Sequence, residues 1–221
     1  MSELTPAIEE GTAAFQLLQS LYTYPLTAET VRPLLHLESD DPRLLPTLAG
    51  FRQSLEGVTD WPGFIEGLNV AYTGLFEGRG DRRVSACGSA WLDDGRFMGP
   101  ETLAVRDDYL DWLLVPTEMG RLPDDHISLE LAFMAHLGKE ALTRDSSLQA
   151  RALGAQASFL RDHLLSWLPQ FSEKVSRQDP GGFFDHVTNL TLGLSQAYSE
   201  WLVGEARATE APSTDSASHP R

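Results

Sequence analysis

Apolar residues return at spacings of three, four and seven along most of this chain, and no segment alternates polar with apolar for more than a few residues. A half-buried sheet needs that alternation, so the core must be closed by helices. Thr5 and Pro6 read as an N-cap and first helical position, followed by a stripe of Ile8, Phe15, Leu18 and Leu21 or Tyr22 that Pro25 ends. Residues 27–37 read as a short helix interrupted at Pro33. Asp41-Pro42 opens the next helix, with Leu44, Leu45, Leu48, Phe51 and Leu55 on its buried face. Asp60 with Pro62 opens another, carrying Phe64, Ile65, Leu68, Tyr72, Leu75 and Phe76. The helical period returns over 101–114. It resumes behind a cap at Asp124 or Asp125 through Ile127, Leu131, Met134 and Leu137. A helix capped by Ser146 or Ser147 runs to Trp167, with Pro169 as its end, and a last one runs from Phe183 to Trp201.

The period breaks over 77–100, where Gly78, Gly80, Gly88, Gly95 and Gly99 punctuate a long irregular loop. Loops of that length inside a compact domain are uncommon and usually functional or mobile. Residues 204–221 are rich in Ala, Ser, Thr and Pro and lack large apolar side chains, so they are expected to be a disordered tail. The expectation is a single-domain, all-α helical bundle over 1–203.

Charge narrows the partners. Thirty-two Asp and Glu against 17 Lys and Arg give −15, which argues against a nucleic-acid binder and favours cationic partners. Hydrophobic content of 42% is that of a globular chain. Cys87 is the single cysteine, so no intramolecular disulfide or paired-cysteine metal knuckle forms. An acidic N-terminus and the absence of an 18-residue apolar run point away from a signal peptide and a membrane span, toward the cytoplasm.

Signals for catalysis are sparse. His126 and Glu130 stand four apart beside Asp125, a spacing that admits a metal-dependent or acid–base enzyme. His136 lies about 15 Å further along the same helix, too far to complete a single metal site. The same acids read equally as a helix start, where a carboxylate caps free amides and complements the dipole. Cys87 has no identifiable base, Ser85 and Ser89 lack the flanking glycines of a nucleophile elbow, and Gly78-x-Gly80 lacks the third glycine of a dinucleotide loop. Tyr72, Leu75 and Phe76 form a triplet at i, i+3 and i+4 just before the irregular loop. Such a triplet is either core or the wall of a groove for a helical segment, shaped by Trp91, Phe97 and Met98.

Several stretches together resemble a known family. Tyr72-Thr73-Gly74-Leu75-Phe76-Glu77-Gly78 is similar to the aromatic-x-x-Leu-Phe-x-Gly stretch of the TorD/DmsD/NarJ-type maturation chaperones for molybdoenzymes. Gly88-Ser89-Ala90-Trp91-Leu92-Asp93, Phe97-x-Gly99 and Thr102-Leu103-Ala104-Val105-Arg106 look most like the dimethyl sulfoxide reductase chaperone branch. Pro123-Asp124-Asp125-His126 with Leu131-x-Phe133-Met134-x-x-Leu137 matches the family's Glu-Pro-x-Asp-His segment and the helix after it. Phe159-Leu160-x-x-His163-Leu164-x-x-Trp167-x-Pro169-x-Phe171 and Phe183-Phe184 match its C-terminal portion. The likeness spans about 64–202. Leu122 stands where the family has its glutamate, and Tyr72 where relatives often have tryptophan.

The resemblance implies a cytoplasmic, monomeric, all-helical chaperone that performs no chemistry and carries no cofactor. It implies that the chain binds the twin-arginine signal peptide of an apo molybdopterin oxidoreductase catalytic subunit, dimethyl sulfoxide reductase-like, and delays its export. By family position, Tyr72, Leu75, Phe76 and Trp91 would form the apolar groove, with Asp124, Asp125 and His126 as polar neighbours. Such a leader has a basic start and an apolar middle, so its groove is expected to be rimmed by carboxylates.

Overall fold

Two helices distant in sequence form the spine. Helix α1 (Leu4–Leu21) lies along α7 (Ile127–Ala141) in the most extensive helix pair of the molecule. Ile8, Phe15, Leu18 and Leu21 of α1 are all buried, as their spacing requires. The two backbones approach at Gly138, where any larger side chain would collide with Thr12. A computed structural model describes residues 4–78, 80, 83–92, 96, 98–115 and 121–210.

Between the spine helices the chain builds a cap of shorter elements. Thr27 caps α2 (Ala28–Val31), which tightens into a 3₁₀ turn over Arg32–His36 at Pro33. Next comes α3 (Leu45–Leu55), and then α4 (Trp61–Tyr72), whose N-cap Asp60 accepts from the Gly63 amide at 3.1 Å. Helix α4 widens into a π-turn over Thr73–Glu77. Helix α5 (Ser89–Leu92) interrupts the glycine-punctuated stretch, and α6 (Pro100–Asp111) follows it. Phe97, expected near the groove, lies outside the described residues.

After α7 the chain runs through α8 (Ser146–Phe159), a π-turn over Leu160–Leu164 and α9 (Leu165–Gln178), then returns along α10 (Phe183–Glu210). Among the described residues the fold is all-α, with a single isolated bridge between Cys87 and His126 and no helix long and apolar enough to cross a membrane. The core is rich in rings. Phe76 stacks on Phe171 at 6.0 Å and meets Phe184 edge-on at 5.3 Å, while Phe133, Tyr109 and Phe159 form a second knot.

Four local expectations are corrected. Asp145, not Ser146 or Ser147, caps α8, its carboxylate accepting from the amides of Ser147 and Leu148. Pro169 does not end a helix but sits inside α9, where the fully buried Trp167, Leu168 and Phe171 hold the backbone helical across the missing amide. The helix before 115 stops at Asp111, with Leu113 in the left-handed region at φ 56°. Helix α10 continues through Gly204 to Glu210, inside the stretch expected to be disordered, because Glu205, Ala206 and Ala208 are good helix formers. Residues 211–221 lie outside the described residues.

Candidate functional site

A cleft of about 1070 Å³ opens between the C-terminal end of α1, the end of α4, α6 and α7. Its walls are largely rings: Tyr22, Tyr24, Tyr72, Phe76, Tyr109 and Phe133. Three side chains on it leave substantial apolar surface in water, namely Tyr24 (49% exposed), Met98 (59%) and Val115 (62%). Arg83, Arg106, Arg121, His126 and His136 contribute the basic groups, and Glu77 is the one carboxylate among the described lining residues. Among the described lining residues the expected rim of carboxylates is thus reduced to Glu77, while Asp81, Asp93, Asp94 and Glu118 lie outside the described residues.

Each ring is placed by local structure. The π-turn after Tyr72 brings Phe76 beneath it, with centroids 5.0 Å apart. The Tyr72 hydroxyl donates to the Tyr22 carbonyl at 2.9 Å, fastening the end of α4 to the end of α1. Burial, foremost, pushes the Tyr72 phenol above its usual pKa, so it remains a neutral donor. Tyr22 in turn shares a 3.0 Å hydrogen bond with Thr191 of α10.

The opposite wall is stitched by residues 84–88 against 125–127. The Val84 amide donates to the Leu75 carbonyl at 2.8 Å, the Gly88 amide to Asp125 at 2.9 Å and the Ile127 amide to Ala86 at 2.8 Å. Asp125 is fully buried. One of its carboxylate oxygens accepts from the Ser89 amide at 2.6 Å, and the other from the Thr102 hydroxyl at 2.8 Å. It thereby ties α5 and α6 to the start of α7. Asp124 is also buried; its carboxylate takes the Arg106 guanidinium at 2.5 and 2.7 Å, and its carbonyl accepts from the Tyr109 hydroxyl at 2.9 Å. Arg106 is thus neutralised within the wall.

Neither acid caps α7. That position belongs to His126, whose Nδ1 accepts from the Ser128 amide at 3.2 Å and pairs with the Ser128 hydroxyl at 2.8 Å. An accepting Nδ1 places the imidazole proton on Nε2. Burial pulls the His126 pKa down to about 4, so this cleft residue is neutral near pH 7.

Behind that wall lies a second buried polar cluster. Glu130 is fully buried; its Oε2 accepts from Trp167 Nε1 at 3.4 Å, while its Oε1 lacks a partner among the described residues. Burial, and then the charges of Asp125 and Glu101, push its pKa well up despite the opposing pull of His163, which favours the protonated acid. His163 sits in the π-turn between α8 and α9, with Nδ1 2.6 Å from Glu101 and Nε2 2.9 Å from Asp108. Burial opposes its charge, yet the bonds to Asp108 and Glu101 prevail and raise its pKa to about 10. Cys87 is buried and its thiol is pushed up by burial, then by Asp125, which disfavours the thiolate a nucleophile requires. Among the described residues no group of His, Cys, Asp and Glu is arranged to hold a metal ion. Asp125, His126 and Glu130 go instead to a clamp, a cap and a buried core acid whose pKa is raised by its burial.

Of the residues expected at a binding site, Tyr72, Phe76 and His126 meet on the cleft, and Met98 joins them. Leu75 is buried in the core, Asp124 and Asp125 support the wall from within, and half-buried Trp91 packs edge-on against Phe171 while its Nε1 donates to Ser85 at 3.0 Å. Tyr22, Arg83, Tyr109 and His136 went unnoticed as cleft residues because they come from separate segments that only the fold brings together. Tyr22 and Tyr109 fall on apolar helical faces, where sequence marks them only as core.

Residues 43–173, well over half of the chain, match the family model described as the nitrate reductase delta subunit. The chain is 24% identical to the chaperone protein TorD of Aliivibrio salmonicida and 26% identical to that of Aliivibrio fischeri. Each match covers 93% of this chain and 100% of the relative. It is 39% identical to the chaperone protein TorD of Vibrio cholerae serotype O1 over 75 residues, 34% of either chain.

Proposed function

This chain belongs to the nitrate reductase delta subunit family, whose TorD members are chaperones and not enzymes, and we propose that it binds the twin-arginine signal peptide of a maturing molybdopterin oxidoreductase. It acts as a cytoplasmic monomer and holds the apo catalytic subunit, dimethyl sulfoxide reductase-like, back from export until its cofactor is in place. The observation that carries this reading is the ring-walled cleft of about 1070 Å³, edged by the exposed apolar surface of Tyr24, Met98 and Val115.

The lining also supports a division of the leader. Arg83 on the wall, bonded to the Phe76 carbonyl and to no acid among the described residues, disfavours paired arginines beside it, so the occupant proposed for the cleft is the apolar middle of the leader. Burying about 400 Å² of apolar peptide surface yields on the order of 10 kcal/mol gross, of which roughly 2–5 kcal/mol offsets the ordering of the segment.

The test is calorimetric titration of the full chain with a synthetic leader. Micromolar or tighter binding is expected, weakened about tenfold or more in Met98→Asp and Val115→Asp, whose side chains are exposed enough for the fold to survive. A leader that fails to bind, or that binds both variants as it binds the wild type, removes this reading.

A further inference from the structure

We infer that the outer face of α6 receives the basic start of the leader, seating its paired arginines on Asp107 and Asp111 and its first apolar residues on Leu110 and Leu113. The inference rests on the leader-binding reading above and adds where the positive end goes.

Helix α6 has two faces. Thr102, Val105 and Tyr109 are buried, while Leu103, Asp107, Leu110 and Asp111 are exposed on the side facing water. Leu103 is 55% exposed and Leu110 50%; Leu113, held in the left-handed region just past the helix, is 92% exposed. A leucine in that backbone conformation, where glycine is usual, with its side chain almost wholly in water is a local cost on two counts. Leu114 and Val115, which follow it directly, line the cleft, so the exposed leucines lead along the chain into the site.

The acids of α6 are divided in the same way. Asp108 is bound to His163, and Glu101 likewise holds that ring. Arg106, the basic residue of the helix, is turned onto Asp124. Asp107 and Asp111, beside the leucines, have carboxylates with no hydrogen bond or ion pair among the described residues, although Arg151 donates to the Asp111 backbone carbonyl at 2.8 Å. Unpaired carboxylates flanking exposed leucines complement a segment in which arginines precede apolar residues. The ring-lined cleft complements the apolar part that follows.

The experiment titrates two synthetic leaders into the full chain: one with paired arginines, and one with both replaced by glutamine. The wild type is expected to prefer the arginine form by about three- to tenfold at low salt, a preference that shrinks as salt rises. In Asp107→Asn/Asp111→Asn the preference disappears while affinity for the glutamine form stays unchanged. Leu110→Ser/Leu113→Ser weakens both leaders. An arginine preference that survives in the Asp107→Asn/Asp111→Asn variant overturns the inference but leaves the leader-binding reading standing; a wild type that binds neither leader removes the reading itself. Light scattering settles the rival occupant: if the leucine variant turns a dimer into a monomer without changing leader affinity, the face joins two copies and the inference is wrong.

Discussion

The Asp125 carboxylate and the Ser89 backbone amide meet at 2.6 Å across 36 residues of chain, with no solvent access to the acid. The bond fixes the start of α5, and the second carboxylate oxygen fixes α6 through Thr102, so one side chain aligns three helices around the cleft. Removing it leaves a buried amide and a buried hydroxyl unpaired. Asp125→Ala is expected to cost about 2–4 kcal/mol and to lower Tm by about 5–10 °C, with Asp125→Asn intermediate. Thermal denaturation by circular dichroism measures it, and an unchanged Tm would mean the acid is no clamp.

His126 gives the protein an acid-side weakness. Its folded pKa of about 4 lies below the 6.5 of an exposed imidazole, so the unfolded chain binds the extra proton first. The stability it contributes is complete above pH 6.5 and is lost as pH falls through 4, on the order of 2–3 kcal/mol. Asn at this position still caps a helix and does not titrate. Urea unfolding from pH 7 to 4 should fall less steeply for His126→Asn than for the wild type.

His163 acts in the opposite direction. Its folded pKa of about 10 exceeds the unfolded value, so its stabilisation is complete below pH 6.5 and lost as pH rises toward 10. His163→Gln is expected to be less stable at pH 7, because Glu101 and Asp108 lose their cation, and to show a flatter alkaline limb. Parallel melts at pH 7 and pH 9.5 test both parts.

Glu130 is a stability cost near neutrality. Its raised pKa makes the folded chain hold a proton that the unfolded chain releases above pH 4.5, so its contribution declines as pH rises. Glu130→Gln keeps the shape and removes the titration. It should raise Tm at pH 8, leave it nearly unchanged at pH 4 and leave leader binding intact.

Gly88 is a packing constraint. A Cβ there would stand 3.0 Å from Trp167 Nε1 and 3.2 Å from its Cδ1, against a fully buried ring. Gly88→Ala is expected to destabilise by about 1–3 kcal/mol, read by urea denaturation with the m-value unchanged.

The helical stripes and the Asp60 cap were legible because both depend on residues within one or two turns. The role of Asp125 was not. Next to a helix start, a carboxylate chooses between a local cap and a distant donor, and the deciding donors, Ser89 and Thr102, lie 36 and 23 residues away. Tyr72, Leu75 and Phe76 were legible as a unit, but spacing alone cannot tell core from groove. The π-turn gives them different fates: Leu75 packs inward, while Tyr72 and Phe76 are buried and still border the cleft. The exposed leucines of α6 were visible in the sequence only as residues out of phase with Val105 and Tyr109.

Every described cleft residue falls between Gln19 and His136, whereas the rings behind Tyr72 and Phe76, Phe171 and Phe184, come from the far end of the chain. The N-terminal portion lines the cleft, and the C-terminal portion supplies the rings packed behind it. On the proposed reading, exchanging these rear rings would reshape the cleft without altering its lining, and a comparison confined to lining positions would miss the cause.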